Sequence, residues 1–156
     1  GARPMKDGLS ATAYPSGVKG TPVEIAESIT PLIFWRKEFR EDSGGAGKTR
    51  GGLGQVIEVG SRIGKPFDLL AAYDRIDHPP RGRDGGRHGA PGAVSLKSGK
   101  VLKGKGFQLI PPDDRLIVMT PGGGGIGDPA RRDRAALAKD VSEGLVSAKG
   151  AKAYEK

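Results

Sequence analysis

Residues 44–49 are the part of the chain most similar to a phosphate-binding loop. Gly47-Lys48-Thr49 closes a glycine-rich stretch, and backbone N–H groups in such a loop can surround a phosphate while the lysine supplies charge. The known motif requires a glycine five positions before Gly47, but Asp42 stands there, and its carboxylate would repel a phosphate. Further glycines in residues 51–54 interrupt any following helix. We therefore expect a structural glycine turn here rather than a nucleotide site.

Two histidines and two aspartates close together in the sequence are the candidate metal ligands: Asp77, His78, Asp84 and His88. Three such side chains can hold a metal ion when they converge. Arginines flank both histidines, and their positive charge disfavours a bound dication. The pattern therefore favours solvated loop histidines over a metal site.

The arginine–glycine stretches at residues 50–52 and 81–83 are similar to segments that bind single-stranded RNA. A formal net charge of +8 also suits a polyanionic partner. However, acidic residues are interleaved throughout, and the few aromatic residues fall mostly in apolar runs instead of basic surroundings. These features disfavour nucleic-acid binding, and the charge equally fits docking to an acidic subunit.

No motif identifies a nucleophile. The sequence has no Ser-His-Asp pattern, no glycine-flanked serine and no carboxylate pair that stands apart from its surroundings. The absence of cysteine excludes a cysteine nucleophile, a thiolate metal site and a disulfide-stapled secreted scaffold. No apolar stretch approaches the roughly 20 residues needed to span a bilayer. We therefore expect no membrane segment and a cytoplasmic location, and we identify no catalytic residue.

The elements that must position these residues are short. The 156 residues include 27 glycines and 12 prolines, and the apolar residues are gathered into brief runs. Short apolar runs separated by glycine and proline predict an α+β fold that is mainly β. We expect a glycine-rich multi-stranded body over residues 1–128 and a short helical tail over 129–156. An irregular lead-in is expected at residues 1–19. Strands are predicted at residues 23–29, 32–35, 55–59, 67–76, 94–96, 101–102 and 115–120, of which 67–76 also fits a helix.

Two helices are expected in the tail. Asp128 is positioned to cap a helix over residues 131–143, with Leu137 and Val141 spaced to lie on its apolar face. A second short helix is expected over residues 147–154. Neither helix is long enough to be stable without tertiary contacts.

Seven groups of residues stand out in their order along the chain. They are residues 1–8, 10–17, 21–24, 42–54, 85–86 with 89–92, 120–125 with 127–129, and 140–141 with 144–147. Taken in this order, they resemble the C-terminal part of subunits of the hydantoinase B/oxoprolinase family. This family is related to N-methylhydantoinase, 5-oxoprolinase and the acetone and acetophenone carboxylases. The resemblance covers essentially the whole chain, and the shared order makes it specific.

The resemblance implies a chain much longer than this one, whose metal-binding Asp and His residues lie outside it, toward the N-terminus. ATP and a divalent metal ion would serve the complete enzyme, with neither bound within this stretch. The implied partners are the rest of its own subunit, an ATP-binding A-type subunit and a small-molecule substrate. This stretch alone is expected to be inactive.

The implied activity is ATP-dependent hydrolysis of a cyclic amide of the hydantoin or 5-oxoproline type. ATP-dependent ketone carboxylation of the acetone or acetophenone type is the alternative within the family. A non-enzymatic basic module that binds RNA or scaffolds an assembly is the alternative outside it.

Three glycine-rich loops, at residues 44–54, 79–92 and 122–127, are interpreted as backbone surfaces that permit close approach. We expect them to serve packing and assembly rather than catalysis. The candidate residues for subunit packing or a substrate passage are Gly44, Gly45, Gly47, Arg50, Asp84, Gly86, Gly123 and Gly124.

Overall fold

The computed structural model describes residues 1–12 and 20–155. Its elements are α1 Val23–Ile29, β1 Leu32–Phe39, β2 Gln55–Ser61, β3 Phe67–Ala72, β4 Ala93–Leu96, β5 Lys105–Ile110, β6 Arg115–Met119, the 3₁₀ helix Pro129–Arg131, α2 Arg134–Ser142 and the 3₁₀ helix Gly150–Tyr154. The predicted α+β fold, mainly β with a short helical tail, is confirmed. Residues 13–19, which include most of the string at 10–17 and the end of the predicted lead-in, lie outside the described residues.

Two antiparallel sheets bury their facing sides in one apolar core. The larger sheet has the strand order β1-β2-β6-β4, and β3 pairs with β5 in the smaller one. The core is formed by Val59, Val94, Leu96, Leu116 and Val118 from the larger sheet and by Ile110 from β5. In β6 the buried residues alternate with more exposed ones, as expected for a strand with one face toward the core.

The strands predicted at residues 32–35, 55–59 and 115–120 are confirmed as β1, β2 and β6. The strand predicted at residues 67–76 is confirmed in its first part only, because β3 ends at Ala72. The hairpin predicted at residues 94–102 is present in outline, because Leu102 N donates to Val94 O at 2.9 Å across a turn containing Gly99. Its second arm forms only an isolated bridge between Ser95 and Val101. Strand β5 was not predicted, since its apolar residues, Phe107, Leu109 and Ile110, are few and directly follow the stretch Lys103-Gly104-Lys105-Gly106.

The strand predicted at residues 23–29 is wrong, because these residues form helix α1. None of its residues is buried, so the alternation of branched apolar residues does not reflect one buried face. Glu and Ala favour helix at this length, and the Glu27 carboxylate accepts a hydrogen bond from Phe34 N at 2.7 Å. This bond ties the helix to the start of β1.

The predicted helix over residues 131–143 is broken near its start. Asp128 caps only the 3₁₀ helix Pro129–Arg131, and a second aspartate, Asp133, caps α2. The backbone is extended at Arg132, which directs this residue toward the interior. In α2 the buried residues are Leu137 and Asp140, whereas Val141 is exposed.

The tail packs on the glycine-rich part of the body. Leu137, Val146 and Tyr154 form a buried cluster with Ala46 of the first glycine-rich loop. The predicted second short helix is present as the 3₁₀ helix Gly150–Tyr154, preceded by Ser147, whose hydroxyl accepts from Gly150 N at 2.9 Å. The division of the chain at residue 128 stays a prediction. Among the described helices, none has the length and apolar character needed to cross a membrane.

Candidate functional site

The three glycine-rich loops lie directly against one another. We call their contacting residues, 44–54, 81–89 and 122–127, the glycine layer. Backbone hydrogen bonds join them: Gly45 N donates to Gly123 O at 2.8 Å, Arg87 N to Ala46 O at 2.7 Å and Gly125 N to Arg87 O at 3.0 Å. The N-terminal residues lie on the same layer, since Ala2 N donates to Gly124 O at 2.9 Å. The layer is therefore built from backbone rather than from side chains.

At most of its glycine positions, the spacing within the glycine layer leaves no room for a side chain. A Cβ on Gly45 would lie 2.8 Å from both Gly125 N and the carbonyl carbon of His88, and a Cβ on Gly123 would lie 2.6 Å from Gly1 Cα. Real Cβ atoms essentially never come closer than 3.0 Å to such atoms. These obstructing atoms belong to the backbone, so no side-chain rotation can relieve the overlap.

The donors of the phosphate-loop-like stretch are engaged inside this layer. Lys48 N donates to Gly127 O at 3.2 Å, and Thr49 N donates to Ile126 O at 3.1 Å. A phosphate cradle requires N–H groups that point at the ligand. The hydrogen bonds of this loop instead satisfy the backbone of residues 122–127, as a structural glycine turn requires.

The structure brings together most of the predicted site residues. Gly44, Gly45, Gly47 and Gly86 lie in the glycine layer with Gly123 and Gly124. Asp84 belongs to the same layer, but it lies at an exposed turn with a φ of +51° and not among the closely packed glycines. The role of these residues in subunit packing or a substrate passage stays a prediction.

Arg50, the remaining predicted residue, belongs to a cluster that we call the arginine–aspartate cluster (Asp7, Arg50, Arg132 and Asp140), in which all members but Asp7 are buried. Arg50 Nε and Nη2 donate to the two carboxylate oxygens of Asp140 at 3.1 and 3.3 Å. Arg132 donates to the same carboxylate at 2.6 Å and to both oxygens of Asp7 at 2.8 Å. The cluster joins the N-terminal residues, the first glycine loop and the tail.

Charges in the cluster balance, with two arginines facing two aspartates. Arg50, Arg132 and Asp140 are 4%, 5% and 5% exposed, so each charge depends on its partners rather than on water. Within the described residues, Arg132 Nε is buried without a hydrogen-bond partner. The arrangement can fix the relative positions of three segments, and it presents no activated nucleophile.

The cluster also changes the ionisation of its members. Burial raises the pKa of Asp7, but the hydrogen bonds from Arg132 and from Arg50 N outweigh it, and the pKa lies below its usual value. Burial lowers the pKa of Arg132, yet the carboxylates of Asp7 and Asp140 raise it above the usual value. Burial raises the pKa of the Tyr154 phenol, which lies 5.8 Å from the Arg132 guanidinium, to about 12.

Sequence reasoning missed Asp7, Arg132 and Asp140. Asp140 lies 90 residues from Arg50, and Asp7 lies 125 residues from Arg132. Each is an ordinary charged residue in its local context. The one local signal is that Asp140 replaces the expected apolar residue on the inner face of α2.

The candidate metal ligands do not converge. His78, Asp77 and Asp84 are exposed, and His88 Nδ1 accepts from Gly82 N at 3.1 Å. Within residues 1–12 and 20–155, no group of three or more His, Asp or Glu side chains could hold a metal ion. The described residues therefore do not fit a metal centre.

Comparison with known proteins identifies the class of this chain. The sequence profile of the Hydantoinase B/oxoprolinase family matches residues 1–129. The chain therefore belongs to the hydantoinase B/oxoprolinase family, as its ordered motifs indicated.

Two relatives are similar in sequence to most of this chain. The chain is 36% identical over 132 residues to 5-oxoprolinase 1 of Arabidopsis thaliana, covering 81% of this chain and 10% of the relative. It is 33% identical over 145 residues to caprolactamase subunit beta of Pseudomonas jessenii, covering 83% of this chain and 24% of the relative. The chain thus spans between a tenth and a quarter of the length of these relatives.

Two solved structures share the fold. The crystal structure of ATP-dependent caprolactamase from Pseudomonas jessenii superposes with a TM-score of 0.82 at 27% identity, covering 97% of this chain and 28% of that chain. Nucleotide-free acetone carboxylase superposes with a TM-score of 0.74 at 24% identity, covering 99% and 25%. The second likeness concerns the fold alone.

Proposed function

We propose that this chain forms the C-terminal part of a B-type subunit in an enzyme that hydrolyses a cyclic amide with the use of ATP. The observation that carries the proposal is the fold likeness to an enzyme described as an ATP-dependent caprolactamase, at a TM-score of 0.82. Family membership over residues 1–129 supports it. Caprolactam and 5-oxoproline, which appear in the names of the relatives, are both cyclic amides.

An unstrained cyclic amide requires activation because its carbonyl carbon is a poor electrophile. ATP can supply that activation by transferring its terminal phosphoryl group to the carbonyl oxygen, with release of ADP. Water then attacks the activated carbon, phosphate leaves, and the ring opens as the C–N bond breaks and the nitrogen takes up a proton. We assign the nucleotide and the metal ion to other parts of the complete enzyme. The hydrogen bonds that engage Lys48 N and Thr49 N inside the glycine layer support this assignment for the nucleotide.

In this proposal the chain contributes a rigid packing surface. The glycine layer presents backbone that other segments can approach closely, and the arginine–aspartate cluster holds the layer to the tail. The relative named as a subunit beta supports assembly with another subunit. We propose that this partner is an ATP-binding A-type subunit, or its equivalent within one fused polypeptide.

The test uses the complete B-type subunit purified together with its A-type partner. The assembly is incubated with 5-oxoproline, hydantoin or caprolactam, and separately with acetone and bicarbonate, each with and without ATP. We expect ATP-dependent ring opening of at least one cyclic amide, and no turnover by the 156-residue chain alone.

Other outcomes would favour the alternatives. Carboxylation of the ketone as the sole ATP-dependent reaction would contradict the proposal and favour the carboxylase branch, whose fold this chain shares. Tight binding of single-stranded RNA that weakens steeply with salt, without any turnover, would favour the non-enzymatic module.

A further inference from the structure

A cleft of about 780 Å³ lies beside the glycine layer. We call it the arginine cleft, after the three arginines among its lining residues, Arg75, Arg81 and Arg83. Backbone of residues 52–55 and 120–126 forms much of the remaining lining, and the apolar side chains of Leu9, Pro80 and Pro121 contribute as well. Its volume falls in the range of sites for small organic ligands.

The backbone geometry directs Arg81 and Arg83 into this cleft together. Arg83 forms a parallel bridge with Ile126, in which Arg83 N donates to Gly125 O at 2.9 Å and Gly127 N donates to Arg83 O at 3.0 Å. Side chains alternate between the two sides of such an extended segment. A Cβ on Gly82 would point into the backbone of residues 86–87, so its neighbours project to the opposite side, where they line the cleft.

The described lining of the cleft carries more positive than negative charge, although the charge of Arg75 also acts on the neighbouring Asp74. No Asp or Glu belongs to the described lining, and none of the three arginines takes part in an ion pair among the described residues. Asp74, next to Arg75, is paired with Lys105 at 2.6 Å. Residues 13–19 contain no Asp or Glu. The buried Arg50 and Arg132, in contrast, both face carboxylates.

Arg75 adopts a conformation that costs free energy. Its φ of +61° lies in the left-handed region, where residues other than glycine are uncommon. Its carbonyl accepts from Gly92 N at 2.9 Å, which helps to hold this backbone. Strain of this kind clusters at binding and catalytic sites, and Arg75 is the third arginine among the residues that line the cleft.

We propose that the arginine cleft binds a phosphorylated small organic molecule. The three positive charges match a phosphate ester dianion better than a singly charged carboxylate, and guanidinium groups bind phosphate oxygens in pairs. The glycine backbone permits close approach of the phosphate. Leu9, which is 64% exposed, offers apolar contact to the organic part. This inference stands on the cleft alone and does not depend on which reaction the complete enzyme catalyses.

Phenyl phosphate is the probe for this site. Its binding to the complete protein is measured by isothermal titration calorimetry at low salt, without ATP or any cyclic amide. The matched carboxylate is benzoate, which keeps the ring but carries one negative charge. We expect phenyl phosphate to bind at least tenfold more tightly than benzoate, and more tightly than inorganic phosphate, which lacks an apolar part.

The variants distinguish binding in the arginine cleft from nonspecific attraction by the positive charge of the protein. Arg81→Gln combined with Arg83→Gln is expected to weaken phenyl phosphate binding at least tenfold, and Arg75→Gln alone should weaken it by a smaller factor. Arg87→Gln is the matched control, because Arg87 is an exposed arginine of the same loop that does not line the cleft. The control should bind within twofold of the unaltered protein. Circular dichroism and the thermal midpoint verify that each variant is folded.

Three results would overturn the inference. The first is unchanged binding of phenyl phosphate in both the double variant and Arg75→Gln. The second is equal binding of benzoate and phenyl phosphate. The third is binding of single-stranded RNA that depends on Arg81 and Arg83, without binding of phenyl phosphate. Because the assay contains no ATP and no cyclic amide, a failure here is distinguishable from a failure of the proposed enzymatic function.

Discussion

Replacement of Asp140 by asparagine tests whether the arginine–aspartate cluster stabilises this fold. Asp140→Asn keeps the shape of the side chain but removes its charge. In the unaltered protein the carboxylate accepts two hydrogen bonds from Arg50 and one from Arg132. Arg132 would retain Asp7, whereas Arg50, which is 4% exposed, would have no other acidic side chain within ion-pair distance among the described residues.

The expected loss follows from leaving Arg50 buried and unpaired. Removal of one partner from a buried ion pair costs about 3–5 kcal/mol, which is a large share of the roughly 5–15 kcal/mol that stabilises a typical domain. For a domain of this length, such a loss corresponds to a decrease of about 6–20 °C in the thermal midpoint. The helical tail should lose its contacts in the same transition, because Asp140 lies on α2.

Urea unfolding followed by circular dichroism measures this effect. The matched control is Asp113→Asn, since Asp113 is exposed and forms no hydrogen bond or ion pair among the described residues. The control should change the free energy of unfolding by less than about 0.5 kcal/mol. A loss of under 1 kcal/mol in Asp140→Asn would refute the view that the carboxylate compensates Arg50.

The remaining predictions concern the glycine layer and ionisation. Gly45→Ala should lower the free energy of unfolding by about 1–3 kcal/mol, because its Cβ would overlap with backbone atoms. Gly20→Ala is the control and should change this free energy little, since its Cβ would have only Lys37 Nζ nearby, at 3.9 Å. Equal effects of the two substitutions in urea unfolding would contradict the packing argument. The pKa of Asp7 is lowered on folding, so the stability that its charge gives the fold is complete above its usual pKa of 3.8 and is lost as the pH falls. The stabilities of Asp7→Asn and the unaltered protein should therefore converge in acid. A constant difference between them would argue against this ionisation. Burial raises the pKa of Tyr154 to about 12, so the stability contributed by its neutral phenol is complete below pH 10 and is lost as the pH rises toward 12. Tyr154→Phe should therefore lose less stability than the unaltered protein over that interval. Parallel plots of stability against pH for the two proteins would disprove the shift.

The strands were predictable where apolar residues alternate or run continuously against the core. Residues 115–120 are the clearest case, because Leu116 and Val118 face the core while their neighbours do not. Helix α1 was not predictable from periodicity, since none of its residues is buried and its branched residues therefore carry no signal of burial. The ordered glycine motifs identified the family, which the profile match over residues 1–129 confirms.

The arginine–aspartate cluster could not be predicted from local patterns. Its members are separated by up to 125 residues, and only the packing of the tail on the first glycine loop brings Arg50 and Asp140 together. The orientation of Arg81 and Arg83 likewise depends on a bridge to Ile126, which is distant in the sequence. Single-sequence reasoning identifies charges and glycines, but their pairing is a property of the tertiary structure.

The isotopic composition of the product tests the central claim most directly. The complete B-type subunit and its A-type partner are incubated with ATP, a cyclic amide and a ketone in oxygen-18 water containing carbon-13 bicarbonate, and the products are analysed by mass spectrometry. The account predicts a ring-opened product whose new carboxylate carries oxygen-18 from water and no carbon-13. A carbon-13 carboxylate on the ketone as the sole ATP-dependent product, or the absence of any ATP-dependent product, would contradict it.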